Sequence, residues 1–227
     1  MHDAERRSLR FHAERGNEKL RCYNQNMRLG IFGGSFNPVH YGHLLLAESC
    51  REACALDQVW LVPAAVPPHK QSAVLAAGKA RLEMLELALA GNEVLRPSAI
   101  ELDRGGVSYT VDTLAQIAAE KPDTSLFLLM GADSLADLPT WREPARTCTL
   151  ATPIVVRRVG SSEPDFAVLA PLVSAERLSE IRRLQVEMPM IELSSTDLRE
   201  RAAAGKSLRF RTPRAVEKYI ETHRLYK

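Results

Sequence analysis

From Arg28 onward, short β-rich runs alternate with longer helical ones, and this succession narrows what the chain can fold into. Leu29 to Phe32 reads as a strand, Tyr41 to Ala53 as a helix and Gln58 to Val62 as a second strand. Parallel neighbours need a crossover, usually a helix, so the pattern predicts an α/β fold: a single doubly wound, Rossmann-like domain, its sheet mostly parallel, with helices on both faces. Further along, Lys79 to Ala90 reads as a helix with a buried stripe of Leu82, Met84, Leu85 and Leu89, Ile100 to Leu102 as a short strand, and Thr110 to Glu120 as a helix capped by Thr110. Ser125 to Met130 and Leu150 to Val156 read as apolar strands, Ala175 to Arg183 as a helix, Met190 to Leu193 as the last strand, and Ser195 to Ala204 and Pro213 to Thr222 as closing helices.

Residues 27 to 227 are thus expected to form the domain. Residues 1 to 26, rich in Arg, Glu, Asn and His and poor in large apolar side chains, are expected to be a flexible extension. Lys and Arg total 30 against 28 Asp and Glu, a net charge of +2, which lacks the basic bias of a duplex nucleic-acid binder. Cys22, Cys50, Cys54 and Cys148 include no CxxC pair, so neither a redox motif nor a structural zinc site is predicted, and Cys50 and Cys54 read as helix packing. With no apolar run near the ~18 residues of a membrane span and no signal-peptide core, a cytoplasmic protein without membrane partners is expected. A homo-oligomer is left open.

Chemistry concentrates where strands end. Gly33-Gly34-Ser35-Phe36-Asn37-Pro38-Val39-His40-Tyr41-Gly42-His43 joins the first strand to the first helix. Paired glycines let a phosphate approach the backbone, and the helix start offers free N–H groups and partial positive charge. His40 and His43, three apart, can face one phosphate, with Gly42 removing a side chain that would block access. No third ligand stands beside them for a metal. Gly78-Lys79 and Gly205-Lys206-Ser207 imitate the tail of a P-loop but lack its earlier glycine, and no GxGxxG follows the first strand. Near the C-terminus, Ser194-Ser195-Thr196 opens a helix with Arg199 one turn on, a second anion site in which one hydroxyl also serves as N-cap. Because ligands of such sheets sit at the carboxyl ends of the strands, these segments, with Pro68-His69-Lys70, Gly131-Ala132-Asp133 and Arg157-Arg158, are expected to converge on one cleft.

The HxGH segment together with Ser-Ser-Thr-x-x-Arg resembles the nucleotidylyltransferase superfamily. The run GGSFNPVHxGH, Gly131-Ala132-Asp133-Ser134-Leu135 leading to Trp141, and Tyr109-Thr110-Val111-Asp112-Thr113-Leu114 are similar to the bacterial nicotinate-nucleotide adenylyltransferases over Arg28 to Lys227, with Leu193 where isoleucine is usual. The resemblance implies in-line attack by a mononucleotide 5′-phosphate on the α-phosphorus of ATP. It implies His40, His43 and Arg199 as catalytic residues and Gly33, Gly34, Ser35, Phe36, His40, His43, Gly131, Asp133, Ser194, Ser195, Thr196 and Arg199 around ATP, with Mg2+ carried by ATP rather than by protein ligands. It further implies Trp141 against the pyridine ring, Thr110 on the nicotinate carboxylate and Lys70 and Arg157 on the mononucleotide phosphate. Phosphopantetheine or nicotinamide mononucleotide as acceptor, a non-catalytic nucleotide sensor, and an RNA-binding module are the alternatives, the last disfavoured by charge and by 6% aromatic content.

Overall fold

The computed structural model describes residues 26–68 and 75–227. Six strands form one all-parallel sheet: β1 (Met27–Gly34), β2 (Gln58–Pro63), β3 (Leu95–Pro97), β4 (Thr124–Gly131), β5 (Thr152–Arg158) and β6 (Val186–Met188). Their order is β3-β2-β1-β4-β5-β6, so the chain runs outward from β1 in one direction and then in the other. The point of reversal lies between β1 and β4, where ligands of open α/β sheets gather.

Nine α-helices connect and close the sheet: α1 (Tyr41–Ala53), α2 (Gly78–Ala88), α3 (Ile100–Arg104), α4 (Thr110–Glu120), α5 (Ala132–Asp137), α6 (Pro144–Leu150), α7 (Ala175–Arg183), α8 (Ser195–Ala203) and α9 (Arg214–Thr222), counted among the described residues. The central strands are apolar at consecutive positions because both of their faces are covered. In β4, Phe127 and Leu129 enter the core shared with α1, α2, α8 and α9, whereas Leu126, Leu128 and Met130 enter the opposite core with α4 to α7. Gly30 keeps β1 close to its neighbours, since a Cβ there would lie 2.8 Å from Leu56 Cδ1 and 3.0 Å from both Leu129 Cδ1 and Val59 Cγ2. Cys50, Cys54 and Cys148 are buried, and burial pushes their thiols up, as expected of packing residues.

Four local readings change. Ile100 to Leu102 is helical rather than extended: the turn carries Glu101 inward and ends at Gly105, whose φ of 70° suits a glycine. The edge strand is instead Leu95–Pro97, where a proline is tolerated. The last strand is Val186–Met188, with Val186 and Met188 inward and Glu187 outward, and Pro189 follows it. Met190 to Leu193 has no regular structure. Thr110 begins α4 instead of capping it, Tyr109 holding the cap position with no side-chain bond. Finally, α5 and α6 appear where no helix is expected from sequence, α6 opening on Pro144, a residue whose missing N–H costs nothing at that position.

Candidate active site

The loop after β1 is built around a ring stack. Phe36 takes φ 43°, a left-handed conformation unusual for a bulky residue, with a typical cost of about 1–3 kcal/mol that must be offset by packing. That packing is present: Phe36 is 1% exposed, edge-on to Phe32 at 5.4 Å and to His43 at 5.0 Å. Its ring therefore props up His43. Gly34 permits this, because a Cβ there would meet the Phe36 ring at 3.1 Å.

His40 occupies the N-cap of α1 and His43 its third residue, and the two imidazoles stack with centroids 3.7 Å apart and planes at 22°. The His40 backbone N–H donates to His43 Nδ1 at 3.2 Å. A neutral imidazole accepting at Nδ1 carries its proton on Nε2, so His43 presents an N–H donor away from the helix. His40 is 6% exposed, and its Nδ1 is buried with no hydrogen-bond partner among the described residues. The glycine between them has a different purpose from the one expected: a Cβ on Gly42 would sit 3.1 Å from Cε1 and Nδ1 of His40, so Gly42 makes room for the ring itself.

Burial, more than any other cause, pulls His40 down to about 4, with the nearby Arg158 charge acting in the same direction. Burial also pulls His43 down to about 3, with His40 contributing. Both rings are therefore neutral donors at neutral pH in the free protein. A histidine whose folded pKa lies below its unfolded value of 6.5 binds fewer protons in the folded state, so its contribution to stability is complete above 6.5 and is lost as pH falls toward 4 and 3. We expect NMR titration to show both imidazoles unprotonated down to pH 5. We also expect the His40→Asn/His43→Asn double variant to flatten the fall in urea-unfolding free energy between pH 6.5 and 4. Protonation of both rings near 6.5 would contradict this.

The C-terminal segment meets this loop directly. Ser195 Oγ donates to the Pro38 carbonyl at 2.8 Å, and Arg199 Nη1 donates to the Asn37 carbonyl at 2.9 Å. Thr212 Oγ1 donates to the Val39 carbonyl at 2.7 Å, and Tyr226 Oη donates to Asn37 Oδ1 at 2.8 Å. The start of α8 is thereby fastened beside the start of α1, bringing the α8 N-terminus and the Arg199 charge to the histidine loop. The three hydroxyls divide their labour: Ser194 Oγ accepts from the Asp197 N–H as N-cap, Ser195 ties the loops, and Thr196 Oγ1 accepts from Arg199 Nη2 at 3.2 Å.

A cavity of about 330 Å³ runs across the sheet reversal, lined by Phe32, Gly33 and Gly34 of β1 with Ser35 of the following loop, and by Met130 and Gly131 of β4 with Ser134 of α5. Phe32 is also in ring contact with His43, at 6.1 Å. At its far end the cavity reaches Pro68, Glu101, Ser108, Thr110 and Trp141, and a second cavity of about 190 Å³ continues past Thr110 and Trp141 to Tyr109 and Arg142. Trp141 is half-buried, packed on the core side and lining both spaces. Asp133 is exposed in the first turn of α5 and does not line either cavity.

Arg157 stands apart from both cavities. Its guanidinium is held by Glu163 at 2.6 Å and Glu187 at 3.3 Å, on the β5–β6 side, and lines neither cavity. The exposed neighbour Arg158 is the one whose charge reaches His40. Lys70 lies outside the described residues. Two of the buried charges, both tied to the cleft, escape a motif-based reading: Glu101, which accepts from Thr113 Oγ1 at 2.6 Å and lines the cavity, and Arg81 in α2. Arg81 shares the spacing of the stripe residues Met84 and Leu85, and a cation at a core position is the signal that marks it. Among the described residues no three His, Cys, Asp or Glu side chains cluster as a metal site, and no helix is long and apolar enough to cross a membrane.

The cytidylyltransferase-like family model matches residues 31–201. A probable nicotinate-nucleotide adenylyltransferase of Roseiflexus is 46% identical over 199 residues, spanning 88% of this chain and 98% of the relative. One of Rhodopirellula baltica is 42% identical over 202 residues, spanning 89% and 94%. Among solved structures, Plasmodium falciparum nicotinic acid mononucleotide adenylyltransferase complexed with NaAD superposes with a TM-score of 0.67 at 16% identity, over 88% of this chain and 97% of that one, a likeness of fold.

Proposed function

Since this chain belongs to the cytidylyltransferase-like family and, within it, to the nicotinate-nucleotide adenylyltransferases, we propose that its cleft joins nicotinate mononucleotide to the AMP moiety of ATP, giving nicotinate adenine dinucleotide and pyrophosphate. The observation that carries the assignment of the site is the pair of bonds from Ser195 and Arg199 to the Pro38 and Asn37 carbonyls. These join the histidine loop to the start of α8 across 157 and 162 positions of sequence, which supports reading the two segments as one phosphate site.

Transfer between phosphates is accelerated mainly by positioning and by stabilising charge, and the donors here suit that task. The mononucleotide 5′-phosphate attacks the α-phosphorus as pyrophosphate leaves from the opposite side. Neutral His43 donates from Nε2 and His40 stands stacked behind it, both toward the α- and β-phosphates. The α8 amides and Arg199 take the departing pyrophosphate, and Gly33, Gly34 and Ser35 let ATP lie close to the backbone. Gly131 and Ser134 line the passage between the substrates, and Asp133, off the cavity wall, is left to the ribose edge. Imidazole, amide, hydroxyl and guanidinium groups match phosphate oxygens rather than a hard cation, and Asp197 is engaged by Arg211 at 3.2 Å. Mg2+ carried by ATP would supply neutralisation of phosphate charge, with none of these residues holding it.

The acceptor end is assigned to Trp141, whose indole face suits a flat cationic pyridine ring, and to Thr110 at the start of α4 beside it. Trp141→Ala is expected to raise KM for the mononucleotide about tenfold, in line with the ~0.5–2 kcal/mol of such contacts, while KM for ATP stays within about twofold. A selective rise for ATP would move Trp141 to the other substrate. The reaction itself is tested by supplying ATP, magnesium and nicotinate, nicotinamide or phosphopantetheine acceptors separately and following dinucleotide and pyrophosphate together. Equal amounts of both with the nicotinate substrate support the proposal, and tight ATP binding without product from any acceptor would make the chain a nucleotide sensor.

A further inference from the structure

Arg81 is 1% exposed, yet no carboxylate lies within ion-pair distance of it among the described residues. Its guanidinium instead donates to backbone carbonyls of three separate segments: Nε to Ala76 at 3.0 Å, Nη1 to Ser35 at 2.9 Å and Nη2 to Ala64 at 2.6 Å. Burying a cation is costly unless its donors are satisfied, and a core apolar residue at this helix position would avoid that cost. The planar fork offers what an apolar residue or a lysine does not, several donors at fixed angles.

The segments it joins are the two banks of the cleft. Ser35 belongs to the loop after β1 and lines the cavity beside Gly33 and Gly34. Ala64 follows β2 and lines it on the side of Pro67 and Pro68. From there the connection continues to the acceptor end: the Ala65 N–H donates to Ser108 Oγ at 2.8 Å and the Ser108 N–H donates to the Val66 carbonyl at 2.9 Å, two residues before Thr110. Ala76 is also tied to the same assembly, its N–H donating to Asn37 Oδ1 at 3.1 Å.

We propose that Arg81 is a positioning residue that sets the distance between the bank holding ATP and the bank holding the mononucleotide, so that its loss slows transfer more than it weakens either substrate's binding. This rests on the adenylyl-transfer reading of the cleft. Arg81 touches neither substrate. A misplacement on the order of 1 Å between reacting groups can cost roughly 10²-fold in rate.

The test compares Arg81→Lys, Arg81→Gln and Arg81→Met with the unaltered enzyme, measuring kcat per ATP-binding site, KM for each substrate and Tm. The expected result is a kcat lowered about 10- to 100-fold in the soluble variants, with each KM within about threefold. Added guanidinium ion at millimolar concentration should partly restore kcat in an Arg81→Ala protein, a recovery that mere loss of stability would not show. Unchanged kcat per folded site, or a loss confined to KM, overturns the proposal. So does failure of every variant to fold, because the guanidinium would then serve stability alone. An unaltered enzyme that makes no dinucleotide would instead refute the underlying reaction.

Discussion

Replacing His43 by alanine is expected to lower kcat about 10²-fold or more, the loss seen when one preorganised donor to a developing negative charge is removed. Phe36, itself buried in a left-handed conformation, supports the imidazole edge-on at 5.0 Å, and the His40 N–H fixes its tautomer at 3.2 Å. The ring therefore arrives at the reaction already oriented, and little reorganisation accompanies transfer. His43→Gln, which offers an amide N–H donor without the ring stack, should recover part of the rate, whereas KM for the mononucleotide should hardly change. Steady-state kinetics with both substrates varied will decide it; turnover within about threefold of the unaltered enzyme would remove His43 from the mechanism.

For Arg199 the expected loss is as large, and its signature differs. The guanidinium holds the Asn37 carbonyl with one nitrogen and Thr196 Oγ1 with another, so it both fastens α8 to the histidine loop and adds positive charge where pyrophosphate departs. Arg199→Ala should lower kcat/KM for ATP roughly 10²-fold or more. In the reverse reaction it should raise KM for pyrophosphate while leaving KM for the dinucleotide nearly unchanged. Arg199→Lys keeps the charge without the fork and should restore only a small part of the activity. Pyrophosphorolysis with an unaltered KM for pyrophosphate would show that Arg199 acts elsewhere.

The β-α alternation made the sheet class legible, and the glycine-rich turn and Ser-Ser-Thr-x-x-Arg made the phosphate end legible, because each element of that end lies within one short segment. Arg157 and Arg158 show the limit: two adjacent cations read alike in sequence, and only the register of β5 against β6, with Glu187 opposite Arg157, decides which one is consumed in ion pairs. Short edge strands were similarly illegible, since three residues carry too little periodicity to distinguish Leu95–Pro97 or Val186–Met188 from a turn. Arg81 and Glu101 belong to no motif. Their burial is a property of the assembled cleft, as is the space that Gly42 leaves for the His40 ring.

A crystal structure with a non-hydrolysable ATP analogue tests most directly whether the two segments serve one substrate. A single triphosphate is expected within hydrogen-bond distance of His43 Nε2 at one end and of Arg199 and the first amides of α8 at the other. A triphosphate that engages only one of these groups would contradict it.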